Sequence, residues 1–130
     1  HPSSAEALTP SSGLVTSVRD LAKFDLALRR GILVDSETLE EAWSAPAGAD
    51  GPALPHGLGW FVQNYRGENV VWQFGVGENA SSSLMMTLPA RGLTLILMAN
   101  SDRLVKPFHL EEGDVSRSPF ARLFLSLFVR

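Results

Sequence analysis

Residues 69–100, NVVWQFGVGENASSSLMMTLPARGLTLILMAN, hold three apolar runs separated by turn chemistry, and they constrain the fold more than any other stretch. The first run, residues 70–74, leads to Gly75 and Gly77, where glycine lets a chain turn without a Cβ penalty. The second, residues 82–88, begins polar, becomes apolar and stops at Pro89-Ala90-Arg91-Gly92, a tetrapeptide of turn residues. The third, residues 93–99, sets Leu93, Leu95, Leu97 and Ala99 on one alternating face and Thr94, Ile96 and Met98 on the other. A strand with no wet face is expected in the middle of a sheet covered on both sides. The pattern therefore predicts consecutive antiparallel strands that form the core.

The flanking sequence supplies the covers. Ser17 with Asp20 three residues on makes a near capping box, after which Leu21, Phe24 and Leu28 follow helical spacing. Arg29-Arg30-Gly31 provides a basic last turn and a glycine stop. A short second helix follows Asp35-Ser36, with Leu39, Ala42 and Trp43 on one face. Residues 46–55, with three prolines and two glycines, break regularity and mark the internal boundary. Residues 59–65 read as a strand, and Arg66-Gly67-Glu68 turns it into the apolar stretch, giving a four-stranded meander. After a mixed-charge loop at 102–117, Ser118-Pro119 announces a last helix. Its Phe120, Leu123, Phe124, Leu127 and Phe128 form a stripe expected to lie on the sheet against strand 93–99.

The fold class is thus α+β: an antiparallel β-meander with a C-terminal helix on one face and N-terminal helices. The chain divides into a helical segment at 1–45, a loop at 46–56, and the sheet with its C-terminal helix at 57–130. Residues 1–12, rich in Pro, Ser and Ala, read as an extended lead-in.

With 130 residues, 45% of them apolar and 19% charged, the chain can bury the core of one globular domain. A net charge of −3 leaves no basic footprint for nucleic acid. The absence of cysteine excludes disulfides and thiolate metal sites but chooses no compartment, so an exported or periplasmic location and a cytoplasmic one both stay open. No apolar run approaches the roughly 20 residues that span a bilayer. The chain opens on His1-Pro2-Ser3-Ser4, with neither Met nor a signal-peptide layout, and is expected to be a fragment, a processed product or one half of a larger protein.

Trp72-Gln73-Phe74-Gly75, then residues 81–84, then strand 93–99 closing in Asn100-Ser101-Asp102, resembles the C-terminal half of the serine β-lactamase and penicillin-binding-protein superfamily. The nearest branch is that of class C β-lactamase-related proteins and esterases. Gly13-Leu14-Val15-Thr16-Ser17 followed by Asp20-Leu21-Ala22-Lys23-Phe24 resembles that family's helical segment, and Gly57-Leu58-Gly59-Trp60 a later strand start. The resemblance implies a partial β-lactamase/transpeptidase-like fold and a serine hydrolase acting by acyl transfer on small ester, amide or β-lactam substrates, without cofactor or metal.

A hydrolase of this kind needs a nucleophile, a base and an oxyanion hole. The family's Ser-x-x-Lys is absent: Ser17-Val18-Arg19-Asp20 and Ser36-Glu37-Thr38-Leu39 lack the lysine. Tyr-x-Asn is absent too, since the single tyrosine, Tyr65, precedes Arg66-Gly67. Both motifs are expected in N-terminal sequence outside this chain. The third motif, Lys-Thr-Gly or His-x-Gly, corresponds to Gln73-Phe74-Gly75, which the resemblance makes the substrate-binding segment. The Val76 backbone N–H is then the oxyanion donor. Gln73 supplies hydrogen bonds but no positive charge, which disfavours a substrate carboxylate.

Other polar residues take plainer roles. His1, His56 and His109 read as surface histidines, and His109-Leu110-Glu111 lacks further ligands for a metal. Ser81-Ser82-Ser83 has no nucleophile elbow and reads as a polar strand start. Met85 and Met86 are expected to fill core gaps on opposite faces, and Trp60 to pair with Trp72. The expected role is to complete a serine hydrolase, with this chain inactive alone and partnered by its missing N-terminal half or by self-association. The competing expectation is a non-catalytic binding module that keeps only the sheet.

Overall fold

In the computed structural model, which describes Thr9, residues 13–46 and residues 55–130, both expected N-caps start helices. The Ser17 hydroxyl accepts the Asp20 N–H at 3.1 Å and opens α1, Val18–Arg29. The Asp35 carboxylate accepts the Thr38 N–H at 2.7 Å and opens α2, Ser36–Ala42. These bonds satisfy main-chain donors that the first helical turn leaves unpaired. Most of the lead-in and of the expected 46–56 loop lies outside the described residues.

The sheet is antiparallel, in the order β1 (Phe61–Tyr65), β2 (Glu68–Gly77), β3 (Ser81–Leu88), β4 (Leu93–Ala99). Opposite each other stand Phe61 and Trp72, Trp72 and Met86, and Met86 and Leu95, so alternation puts all four on one face. That face forms the larger core with Val70, Leu84 and Leu88, beneath the turns of residues 102–117 and α3, Pro119–Phe128. On the other face Val71 packs with Leu28, Leu39 and Trp43 from the helical layer.

Four expectations need correction. Strand β4 lies at an edge, not in the middle; its mixed apolar character reflects half-burial from both layers, while β3 holds the deeply buried Leu84, Met86 and Leu88. Gly75 and Gly77 continue β2 instead of turning, and the turn falls at residues 78–80. Gly75 sits opposite Ser83, whose Oγ would be 2.9 Å from a Cβ at that position, so glycine there serves close approach. Trp60 does not pair with Trp72: it meets Trp43 edge-on at 6.1 Å, while Trp72 stacks on Phe61 at 4.3 Å.

The stripe on α3 is the fourth correction. The helix docks through Ala121, Leu125 and Val129, with Phe124 partly covered. Leu123 and Leu127 are 61% and 63% exposed, and Phe120 and Phe128 also face outward. A helix apolar around most of its girth offers several stripes, and the one buried here runs through Ala121, Leu125 and Val129. A similar exchange occurs in α1, where Phe24 is exposed and Asp25 is buried. Asp25 accepts from Arg29 Nη2 at 2.7 Å and from Thr94 Oγ1 at 3.0 Å, and Arg29 Nη1 also reaches the Gly92 carbonyl at 3.1 Å. These bonds offset the burial of the charge and tie α1 to β4.

Candidate active-site strand

Strand β1 accompanies β2 only from Glu68 to Trp72, whereas β3 follows it to Gly77. Among the described residues, no other strand of the four-stranded sheet accompanies the outer edge of β2 from Gln73 onward. The chain before β1 turns away there. The Gly57 N–H meets the Trp60 carbonyl at 2.8 Å, and the Leu58 N–H meets the Ala42 carbonyl at the end of α2 at 3.1 Å. A Cβ on Gly57 would stand 2.0 Å from the Ala42 oxygen, so only glycine permits this tuck.

Gln73 bridges the place where β1 departs. Its Oε1 accepts the Phe74 N–H at 2.9 Å and its Nε2 donates to the Gly59 carbonyl at 2.8 Å. In an antiparallel ladder, a residue's N–H and C=O point to the same neighbour and alternate along the strand. Since the Phe74 N–H points to the outer edge, the Val76 N–H points there also. The side chains divide the other way: Gln73 and Gly75 face the helical layer, Phe74 and Val76 the opposite layer. Phe74 lies among aromatic rings, 5.7 Å from Phe61 and 6.0 Å from Trp72.

A cavity of about 680 Å³ opens at this end of the sheet, lined by Gly75, Val76, Ser83 and Met98 and by Leu14 and Thr16 ahead of α1. Its size suits a small molecule. Gln73 and Phe74 do not line it, so two of the four sequence-predicted site residues meet the cavity and two brace the strand beside it. A second hollow, about 460 Å³ at Trp43, Asn64 and Asn69, lies at the opposite end of β2.

The hairpin after β2 is clamped by residues that sequence reasoning did not assign. Asp102 Oδ2 accepts the Asn79 N–H at 3.2 Å, and Lys106 lies 3.3 Å from Asp102 and 3.4 Å from Glu78. The Asn79 N–H first, then Lys106, hold the Asp102 carboxyl below its ordinary range. The Ser82 hydroxyl donates to the Ser101 carbonyl, fixing the start of β3 to the same loop. The acid after the Asn100-Ser101 step was the only hint in the sequence.

The His56 ring packs 4.5 Å from Phe61, and His109 Nδ1 lies 3.2 Å from Glu111 in an exposed pair. No group of three metal-ligating side chains occurs among the described residues. None of their helices is long and apolar enough to cross a membrane.

A family model described as Beta-lactamase matches residues 1–114. The chain belongs to the beta-lactamase family. The match takes in both N-terminal helices and all four strands, and it stops short of α3. The architecture of this beta-lactamase family chain is accordingly a partial form of that serine hydrolase-like fold. No curated protein and no solved structure matches the chain.

Proposed function

We propose that this chain supplies one active-site wall of a serine hydrolase of the class C β-lactamase-related and esterase branch, acting on ester or amide substrates, β-lactams included. The observation that carries the reading is the outer edge of β2 at Val76, left by β1 and adjoining the cavity. A substrate carbonyl aligned with that edge accepts the Val76 N–H. As the carbonyl carbon becomes tetrahedral, negative charge builds on its oxygen and the bond strengthens, which lowers the barrier. Gly75 leaves room for close approach along the strand. Gln73 holds the edge straight, and the second N–H of its carboxamide serves as a donor to the substrate; Phe74 anchors the segment in the core. The nucleophile and base must come from Ser-x-x-Lys and Tyr-x-Asn, which this sequence lacks.

A second reading, a non-catalytic binding module, draws support from Gln73, whose carboxamide bonds already serve the fold. The outward apolar face of α3 and the β4 edge favour a contact with further sequence of the same protein or with a second copy. The deciding experiment expresses the open reading frame around these residues and assays p-nitrophenyl butyrate and a β-lactam. The hydrolase reading expects an upstream Ser-x-x-Lys and turnover that dies on Ser→Ala there, with no turnover by the 130-residue chain alone. A reading frame without the motif, or an inert product that carries it, favours the module.

A further inference from the structure

We infer that the cavity at the end of β2 selects acyl compounds that are uncharged around the carbonyl and discriminates against carboxylates; this rests on the reading of β2 given above. Among the described residues, no charged side chain lines the cavity. Its walls combine hydroxyls, those of Thr16, Ser81 and Ser83, with the apolar side chains of Leu14 and Met98. Both apolar side chains are substantially exposed, Leu14 to 77% and Met98 to 42%, and an apolar ligand would cover them.

Several cations of the helical layer and the loop after β4 are paired with carboxylates away from the cavity. Lys106 is shared between Asp102 and Glu78, Lys23 pairs with Asp20 at 2.9 Å, and Arg29 pairs with Asp25 at 2.7 Å. Arg19 and Arg103 are exposed and form no part of the wall. A carboxylate entering this cavity sheds water without gaining a cation, in a chain whose net charge is already −3. A neutral ester or amide loses less hydration, and its carbonyl needs only the N–H at Val76 and the hydroxyls.

The test titrates the ¹⁵N-labelled chain at pH 7 with N-phenylacetylglycine methyl ester and, separately, with N-phenylacetylglycinate. The ester should shift the Gly75, Val76 and Gly77 amides with a Kd at least about tenfold lower than that of the carboxylate. Met98→Lys, which puts a cation on the cavity wall at the edge strand, should tighten the carboxylate about tenfold and cost the ester some of its apolar contact. A carboxylate that binds as tightly as the ester at the same amides overturns the selectivity while leaving the site in place. So does a Met98→Lys variant with no gain for the carboxylate. If neither compound moves these amides, the site itself is refuted, and the inference with it.

Discussion

The carboxamide oxygen of Gln73 accepts the main-chain N–H of Phe74, the next residue, at 2.9 Å, while the same carboxamide donates to Gly59 at 2.8 Å. One side chain thus stands in for a strand at the point where β1 leaves β2. Without it the Phe74 N–H would need another acceptor, and the edge at Val76 would lose its brace.

Gln73→Leu should therefore lower stability by about 1–2 kcal/mol in urea unfolding and speed amide exchange at Phe74. Gln73→Glu keeps an acceptor for Phe74 and should restore the slow exchange. Gln73→Lys should gain affinity for carboxylates while showing the same loss of stability as the leucine variant. Unaltered exchange at Phe74 in Gln73→Leu would show that the bond does not hold the edge.

Asp25 is the polar anchor of α1. Asp25→Ala leaves Arg29 and the Thr94 hydroxyl without their acceptor, and the expected cost is about 2–3 kcal/mol, since Arg29 keeps some contact with water. The check is the unfolding midpoint, with Asp20→Ala as an exposed comparison that should move it little. Equal effects from the two variants would contradict the anchoring role.

The outer face of α3 should drive association. Leu123→Lys with Leu127→Lys is expected to give a monomer by light scattering where the unaltered chain forms a dimer or larger species, with a stability change within about 0.5 kcal/mol. A monomeric unaltered chain at high concentration, free of apolar dye binding, would rule this out.

Asp102 gives a pH signature. Its folded pKa is depressed by the Asn79 N–H and by Lys106, so its contribution is fully present above the ordinary value of 3.8 and is lost as pH falls through the folded value. Carboxyl and Asn79 amide shifts followed by NMR should titrate together, below 3.8. A midpoint at or above that value would mean that the clamp on the hairpin is not formed in solution.

Local chemistry was the legible part of this sequence. Ser17, Asp35 and Ser118 cap the helices they announced, and β4 runs over residues 93–99 as its apolar run predicted. What could not be read were choices that depend on a partner element. The girdle of Phe and Leu on α3 admits several faces, and which one docks depends on the layer it meets, here through Ala121, Leu125 and Val129. An apolar strand looks the same at an edge or in the middle when both layers half-cover it, as with β4. Gly75 signals either a turn or a close approach, and the serine opposite decides between them. At the candidate site the segment 73–76 was singled out only by the family resemblance of Gln73-Phe74-Gly75, and its division between cavity and brace could not be read, because that follows from the residue at which β1 departs.

The role proposed for the Val76 N–H is tested most directly by Val76→Pro in the proposed hydrolase. Proline removes that one donor and is tolerated where a strand N–H faces away from the ladder. The expected result is a fall in kcat on p-nitrophenyl butyrate of about 10²–10³ with an unfolding free energy changed by less than about 1 kcal/mol. An unchanged kcat would contradict the assignment, and so would a loss of activity matched by a collapse in stability, which would place the N–H inside the sheet.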